Sequence, residues 1–246
     1  MNIRTTRLLL LALSFVTSSL ALAGAETATA TLAPSGFGAT SSPIAEALQR
    51  GRWPLACQRA TSALAGAQPD VEALGIFALC AAINHDQPAL TQANARLKEA
   101  ETVPYYATLV AAVSDLHAQR PAPALVQLTT LTAARPQDAL AQFFLGEARY
   151  ANGEPAAARR CFEAVLTSWP AHAPAMLALS RLDATEARLP QAIARMEQAT
   201  QIDPQNRDYW RWLADLCTQA GDPGRAQAIT LQRLRVRSPS AHLGSE

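Results

Sequence analysis

Ala139 to Pro170 reads ALAQFFLGEARYANGEPAAARRCFEAVLTSWP. In its second half Ala158, Phe162 and Val165 recur at i, i+4 and i+7, the spacing of one apolar face on a helix. The stretch closes on a proline that recurs: Pro136, Pro170 and Pro204 lie 34 residues apart. Pro69, Pro104 and Pro239 extend the series at intervals of 35, 32 and 35. A fixed period of this size marks a solenoid built from one helix-turn-helix unit per repeat. Proline cannot continue a helix, so each one ends a helical hairpin and lets the next begin.

Working outward, the next unit keeps Leu179, Ala192, Ala199 and Pro204, and the one after keeps Trp210, Leu213, Ala214, Gly221 and Ala226. Together with Leu145-Gly146, Gly153, Ala158, Phe162 and Pro170, these residues resemble the tetratricopeptide repeat pattern at its usual offsets. Small residues fit the pattern because antiparallel helices approach closely only where side chains are small, as expected for Gly146 against Ala158 and Ala214 against Ala226. There are departures. Arg149 stands where an aromatic is usual and Tyr150 follows it, while Met196 and Thr230 replace the second-helix aromatic. The clearest repeats are 137–170, 171–204 and 205–238. Weaker units cover 104–136 and 70–103, and a degenerate one covers 43–69. No run alternates with the two-residue period of a strand. The resemblance implies an all-α, right-handed superhelical solenoid of about five to six units over 43–238, its units stabilised by stacking on their neighbours.

The chain opens with Arg4 and Arg7, an apolar run from Leu8 to Val16, and small residues around Ala23 and Ala25. That order predicts a signal peptide over 1–25, cleaved near Ala25. The apolar run is short and interrupted by Ser14, Thr17, Ser18 and Ser19, unlike a membrane anchor. Residues 26–42 lack periodicity and read as a flexible leader, and 239–246 as a C-terminal tail. Without Arg4 and Arg7 the 21 basic residues become 19, against 20 acidic. So balanced a charge attracts neither nucleic acid nor a membrane surface. Lys98 is the only lysine, and with the heavy use of alanine this points to a high-GC bacterial genome, hence to a periplasmic location.

An oxidising compartment permits disulfides. Cys57 falls in the second helix of the first unit and Cys80 in the first helix of the next. Both are nearly equidistant from the turn near Gln68 and Pro69, which puts them at one height on antiparallel helices. Two readings stand: a disulfide worth on the order of 3 kcal/mol, or two small buried apolar residues. Cys161 and Cys217 are two repeats apart, beyond bridging reach, and read as core thiols.

Signatures of chemistry are missing. The sequence has no Cys-x-x-Cys, no His-Glu-x-x-His, no Gly-x-Ser-x-Gly and no phosphate-binding glycine loop. His85, His117, His172 and His242 are scattered, with no chelating pair. Asp183 and Glu186 read as charges on a helix face. No enzymatic activity, metal or cofactor is expected.

In the resembled family the first helix of each unit lines the concave face. By position this implies Tyr106, Leu109, Val113 and His117 from the third unit, and Phe143, Phe144, Glu147 and Tyr150 from the fourth. The fifth contributes Leu177 and Arg181, and the sixth Arg211, Trp212 and Asp215. Several of these could equally be core residues between units. Such a groove suits an extended or helical peptide of a protein partner, with hydrophobic anchors and one or two acidic groups. The implied function is a periplasmic interaction scaffold for an envelope, secretion or biogenesis partner. The alternative is a glycan-binding or structural component of polysaccharide export. The last helix carries Ile229, Leu231, Leu234 and Val236 beside its arginines, an apolar stripe that would suit either a homodimer or intramolecular capping by residues 238–246.

Overall fold

The computed structural model describes residues 42–65, 71–99 and 104–236. The expected signal peptide, the leader up to residue 41 and the C-terminal tail lie outside the described residues. Within them the chain forms twelve helices and no strand, arranged as six antiparallel pairs. The first two pairs are α1 (Pro43–Gln49) with α2 (Trp53–Leu64), and α3 (Val71–Ile83) with α4 (Gln87–Glu99). Next come α5 (Pro104–His117) with α6 (Pro121–Ala134), and α7 (Ala139–Ala151) with α8 (Pro155–Ser168). The last are α9 (Ala173–Thr185) with α10 (Leu189–Ile202), and α11 (Arg207–Gln219) with α12 (Pro223–Val236). They stack as a right-handed all-α solenoid.

The repeat is stricter than the prolines indicate. The second helices begin at Trp53, Gln87, Pro121, Pro155, Leu189 and Pro223, each 34 residues after the last. The same interval separates the residues of positive φ in the six intra-pair turns: Gly51, His85, Gln119, Gly153, Ala187 and Gly221. Each turn closes its first helix in one way. In the fourth pair, Glu154 N donates to Arg149 O at 2.8 Å and Gly153 N to Tyr150 O at 3.0 Å. In the first, Arg52 N donates to Ala47 O at 2.8 Å. Such bonds satisfy the last helical carbonyls, and the left-handed residue makes them possible. The left-handed region favours glycine, yet three of the six turns use other residues there.

Entry into the later pairs is also periodic. Asp138, His172 and Asn206 cap α7, α9 and α11 through side-chain acceptors, two residues after Pro136, Pro170 and Pro204. The second helices α2, α6, α8 and α10 have no side-chain cap and instead carry proline in their first two positions.

Close packing within pairs follows the small residues, with one refinement. A Cβ at Gly146 would lie 2.6 Å from the Phe162 ring, so the glycine admits that ring. One repeat later the positions are Ser180 and Met196, both fully buried, and the Ser180 hydroxyl donates to Ala192 O at 3.0 Å. In the last pair the equivalent residue, Thr230, is exposed.

Two polar features join neighbours. Asp183 is not a solvated charge on a helix face. Its side chain is 2% exposed and receives Arg159 from α8, Arg188 from the α9–α10 turn and Arg195 from α10, each at 2.8 Å. Three helices are thereby tied through one carboxylate, and Arg159 also reaches Glu186 at 3.1 Å. Farther towards the N-terminus the structure joins Cys57 of α2 to Cys80 of α3, with Cα atoms 5.7 Å apart. Cys161 and Cys217 are free and buried.

A solenoid unit ordinarily touches only its neighbours. Here the first pair reaches much farther. In the α1–α2 turn, Arg50 O accepts from Ala173 N of α9 at 3.4 Å, and the Arg52 guanidinium donates to Ile202 O at the end of α10. Gly51 lies so close to Pro174 that a Cβ would stand 2.0 Å from its ring, and Trp53 packs on Phe144 of α7. The turn is a strap from the first pair to the fourth and fifth.

Candidate functional site

The strap and three first helices enclose an open recess of about 310 Å³. α3 supplies Ile83, α5 supplies Val113, Leu116 and His117, and α7 supplies Phe143, Phe144, Glu147 and Ala151. Gln119 lines it from the α5–α6 turn, and Trp53, at the start of α2, forms the opposite wall. The walls are mainly apolar and aromatic, with three polar side chains, which is the usual make-up of a small binding site.

Its aromatic wall is held from behind. Phe143 meets Phe144 edge-on with centroids 5.3 Å apart, and also packs on Phe162 at 5.9 Å and His172 at 4.9 Å. Phe144 meets Trp53 at 5.8 Å. Edge and tilted contacts of this kind favour defined ring positions. His117 packs edge-on against His85, centroids 4.7 Å apart, from the neighbouring pair's turn. Burial, and then the neighbouring His85, lower the His117 pKa. Burial raises the Glu147 carboxyl above its ordinary value, partly offset by the charge of Arg181 on α9.

Behind the wall, His172 is fully buried at the start of α9. Its Nδ1 accepts from Ala175 N at 3.3 Å, and its Nε2 has no hydrogen-bond partner. Burial pushes its pKa down to about 3. The ring is held neutral beneath the strap, with Cδ2 3.3 Å from where a Gly51 Cβ would be.

Five of the sequence-predicted residues meet at the recess: Val113, His117, Phe143, Phe144 and Glu147. The others do not. Leu109 is fully buried in the core. Tyr106 is buried against Gly75, whose Cβ would lie 2.3 Å from the tyrosine ring. Tyr150 is 46% exposed and is not among the residues that line the recess. Leu177 and Trp212 pack on the apolar core of the last two pairs, which includes Met196, Tyr209 and Leu213, and the Trp212 indole donates to Ser180 Oγ at 3.0 Å. Arg211 is exposed and lies 3.7 Å from Asp208 on its own helix, and Asp215 is exposed. Arg181 acts on the site only through the charge it presents to Glu147.

Sequence reasoning missed Trp53, Ile83, Leu116, Gln119 and Ala151. Three of them, Ile83, Leu116 and Ala151, follow from extending the first-helix rule to helix ends, and Gln119 lies in the turn just beyond one. Trp53 had no such signal, because it sits on a second helix. Of the terminal apolar stripe, Leu231 and Leu234 are exposed while Ile229 is buried. Among the described residues no helix is long and apolar enough to cross a membrane.

A tetratricopeptide repeat model matches residues 109–173 and again 148–182, and a second such model matches 183–237. Together they span 109–237, more than half of the 246-residue chain. No curated protein matches the chain in sequence. Among solved structures the chain is similar to the Cut9 and Hcn1 hetero-tetramer of the APC/C, at 14% identity and a TM-score of 0.59, covering 80% of this chain and 39% of that one. It is similar to pilF of Pseudomonas aeruginosa at 18% identity and a TM-score of 0.52, covering 80% and 90% of the two chains. It also resembles MamA at 15% identity and a TM-score of 0.48, covering 79% and 94%. At these identities the likeness concerns the fold alone.

Proposed function

This chain belongs to the tetratricopeptide repeat family, and from that premise we propose that it is a non-catalytic protein–protein interaction scaffold. The site is the recess between α3, α5, α7 and the strap, where one peptide segment of a partner is held. The observation that carries this reading is the convergence of first helices from three successive pairs on one open, aromatic recess with a single carboxylate. An extended peptide laid along first helices would place one side chain there as an anchor.

The proposed location is the periplasm, reached by cleavage near Ala25. The basic, apolar and small-residue order of residues 1–25 supports it, as does the Cys57–Cys80 bond, which suits an oxidising compartment. The partner would then be an envelope, secretion or biogenesis protein.

The test is chemical crosslinking of the mature protein in its cell envelope, followed by identification of what is attached. One dominant protein, lost when Phe144 is replaced by alanine in a variant that remains folded, is the expected result. Co-purification of polysaccharide with no protein attached would replace this reading with glycan binding.

A further inference from the structure

We infer that the recess accepts a basic side chain, a lysine or arginine of the bound segment, with its charged end against Glu147 and its stem along the apolar lining beside Trp53 and Val113. The inference rests on the scaffold reading and names the chemistry of the anchor.

The argument starts from the carboxylate. Glu147 lines the recess, is half-buried, and has no protein hydrogen-bond or ion-pair partner at its carboxylate among the described residues. Its neighbours there are largely carbon: Trp53, Val113, Phe143 and Phe144. Glu147 is half-buried, so its carboxylate keeps contact with the water of the open recess, while the apolar surroundings raise its pKa as described. Among the described residues the cation acting on it is Arg181, which is exposed and makes no ion pair with it within 4.0 Å. An entering ammonium or guanidinium would replace that water with donors and an opposite charge together.

The other walls have the same preference. Aromatic faces attract cations and also pack on the methylene stem that carries them. His117 is held towards its neutral form by burial and by His85, so it adds no opposing charge near neutral pH. An acidic side chain would meet Glu147 as a like charge. A purely apolar one would displace water from the carboxylate and offer no donor in its place.

The probes are N-acetyl-lysinamide and its uncharged isostere N-acetyl-norleucinamide, titrated into the full mature protein. The readout is the indole N–H resonance of Trp53, assigned by Trp53→Phe. The lysine probe should shift it saturably, and the norleucine probe should neither shift it nor compete. Glu147→Gln, which preserves shape, should weaken the lysine probe about tenfold. Arg181→Gln should strengthen it by about threefold, because a competing cation is gone. Equal binding of both probes, no binding of the lysine probe, or unchanged binding in Glu147→Gln would each overturn the inference. The scaffold reading fails separately. If the lysine probe binds as expected but the envelope crosslink captures no protein, the recess chemistry stands and the protein partner does not. If a protein is captured through the recess while the probes show no charge preference, the scaffold stands with a different anchor.

Discussion

The Trp53 indole and the Phe144 ring lie 5.8 Å apart and join the first helix pair to the fourth. Nearest-neighbour stacking alone would not bring them together. The contact exists because Gly51 lets the α1–α2 turn approach Pro174, and Arg50 and Arg52 bond to the backbone of the fifth pair. The strap both completes the recess and couples distant units.

Gly51→Ala tests the strap. The residue has φ +67°, and its Cβ would overlap Pro174. Gly153 has φ +79° with open space around it, so Gly153→Ala carries the backbone penalty alone. Urea unfolding should show a loss of about 1 kcal/mol for Gly153→Ala and about 2–3 kcal/mol for Gly51→Ala. Equal losses would mean that the Pro174 contact contributes nothing.

Ala187 tests the periodic turns in the opposite direction. It occupies the left-handed position of the fifth pair at φ +59°, and glycine occupies the equivalent place in the first, fourth and sixth. Ala187→Gly should raise stability by about 0.5–1 kcal/mol in urea unfolding, since a Cβ is disfavoured in that region. A destabilised variant would contradict the assigned turn geometry.

Asp183 should behave as a buried junction. Burial alone would raise its carboxyl, but hydrogen bonds from Arg188, Arg195 and Arg159 outweigh this and hold it below the ordinary value. Asp183→Asn removes the charge that three arginines face. A loss of about 3 kcal/mol in equilibrium unfolding is expected. A variant within about 0.5 kcal/mol of the parent would show the network to be solvated instead.

His172 gives the fold a pH dependence. Its folded pKa is lowered from 6.5 to about 3. The unfolded chain therefore takes up a proton below pH 6.5 that the folded chain refuses until near 3. Its contribution is complete above pH 6.5 and declines as the pH falls through that window, by about 1.4 kcal/mol per pH unit at the steepest. Urea unfolding between pH 7 and pH 4 should show this fall, and His172→Asn should flatten it while keeping a capping side chain. An identical fall in the variant would assign the proton to another group.

Much of the fold was legible because glycine and proline mark backbone requirements directly. Pro136, Pro170 and Pro204, with Gly153 and Gly221, fix the later units. The earlier units were faint because His85 and Gln119 fill turn positions where glycine is usual, and because proline spacing drifts while helix starts do not. Phe143, Phe144, Val113, His117 and Glu147 could be placed on first helices from their repeat positions. Which of them turn towards solvent was undecidable from periodicity, since a first helix is packed on more than one face. Trp212 fell elsewhere because its indole is drawn to Ser180. The strap left no trace in the repeat pattern, as its contacts are between units that a solenoid keeps apart.

The most direct test of the concave recess is site-directed photocrosslinking in the native envelope. A photoreactive residue at Ala151, exposed on the recess rim, is compared with one at Val126, which is 70% exposed on the outer helix α6. A single partner captured from Ala151, absent from Val126 and diminished by Glu147→Gln, is the predicted result. Capture from Val126 with none from Ala151 would contradict it and place the interaction on the outer surface.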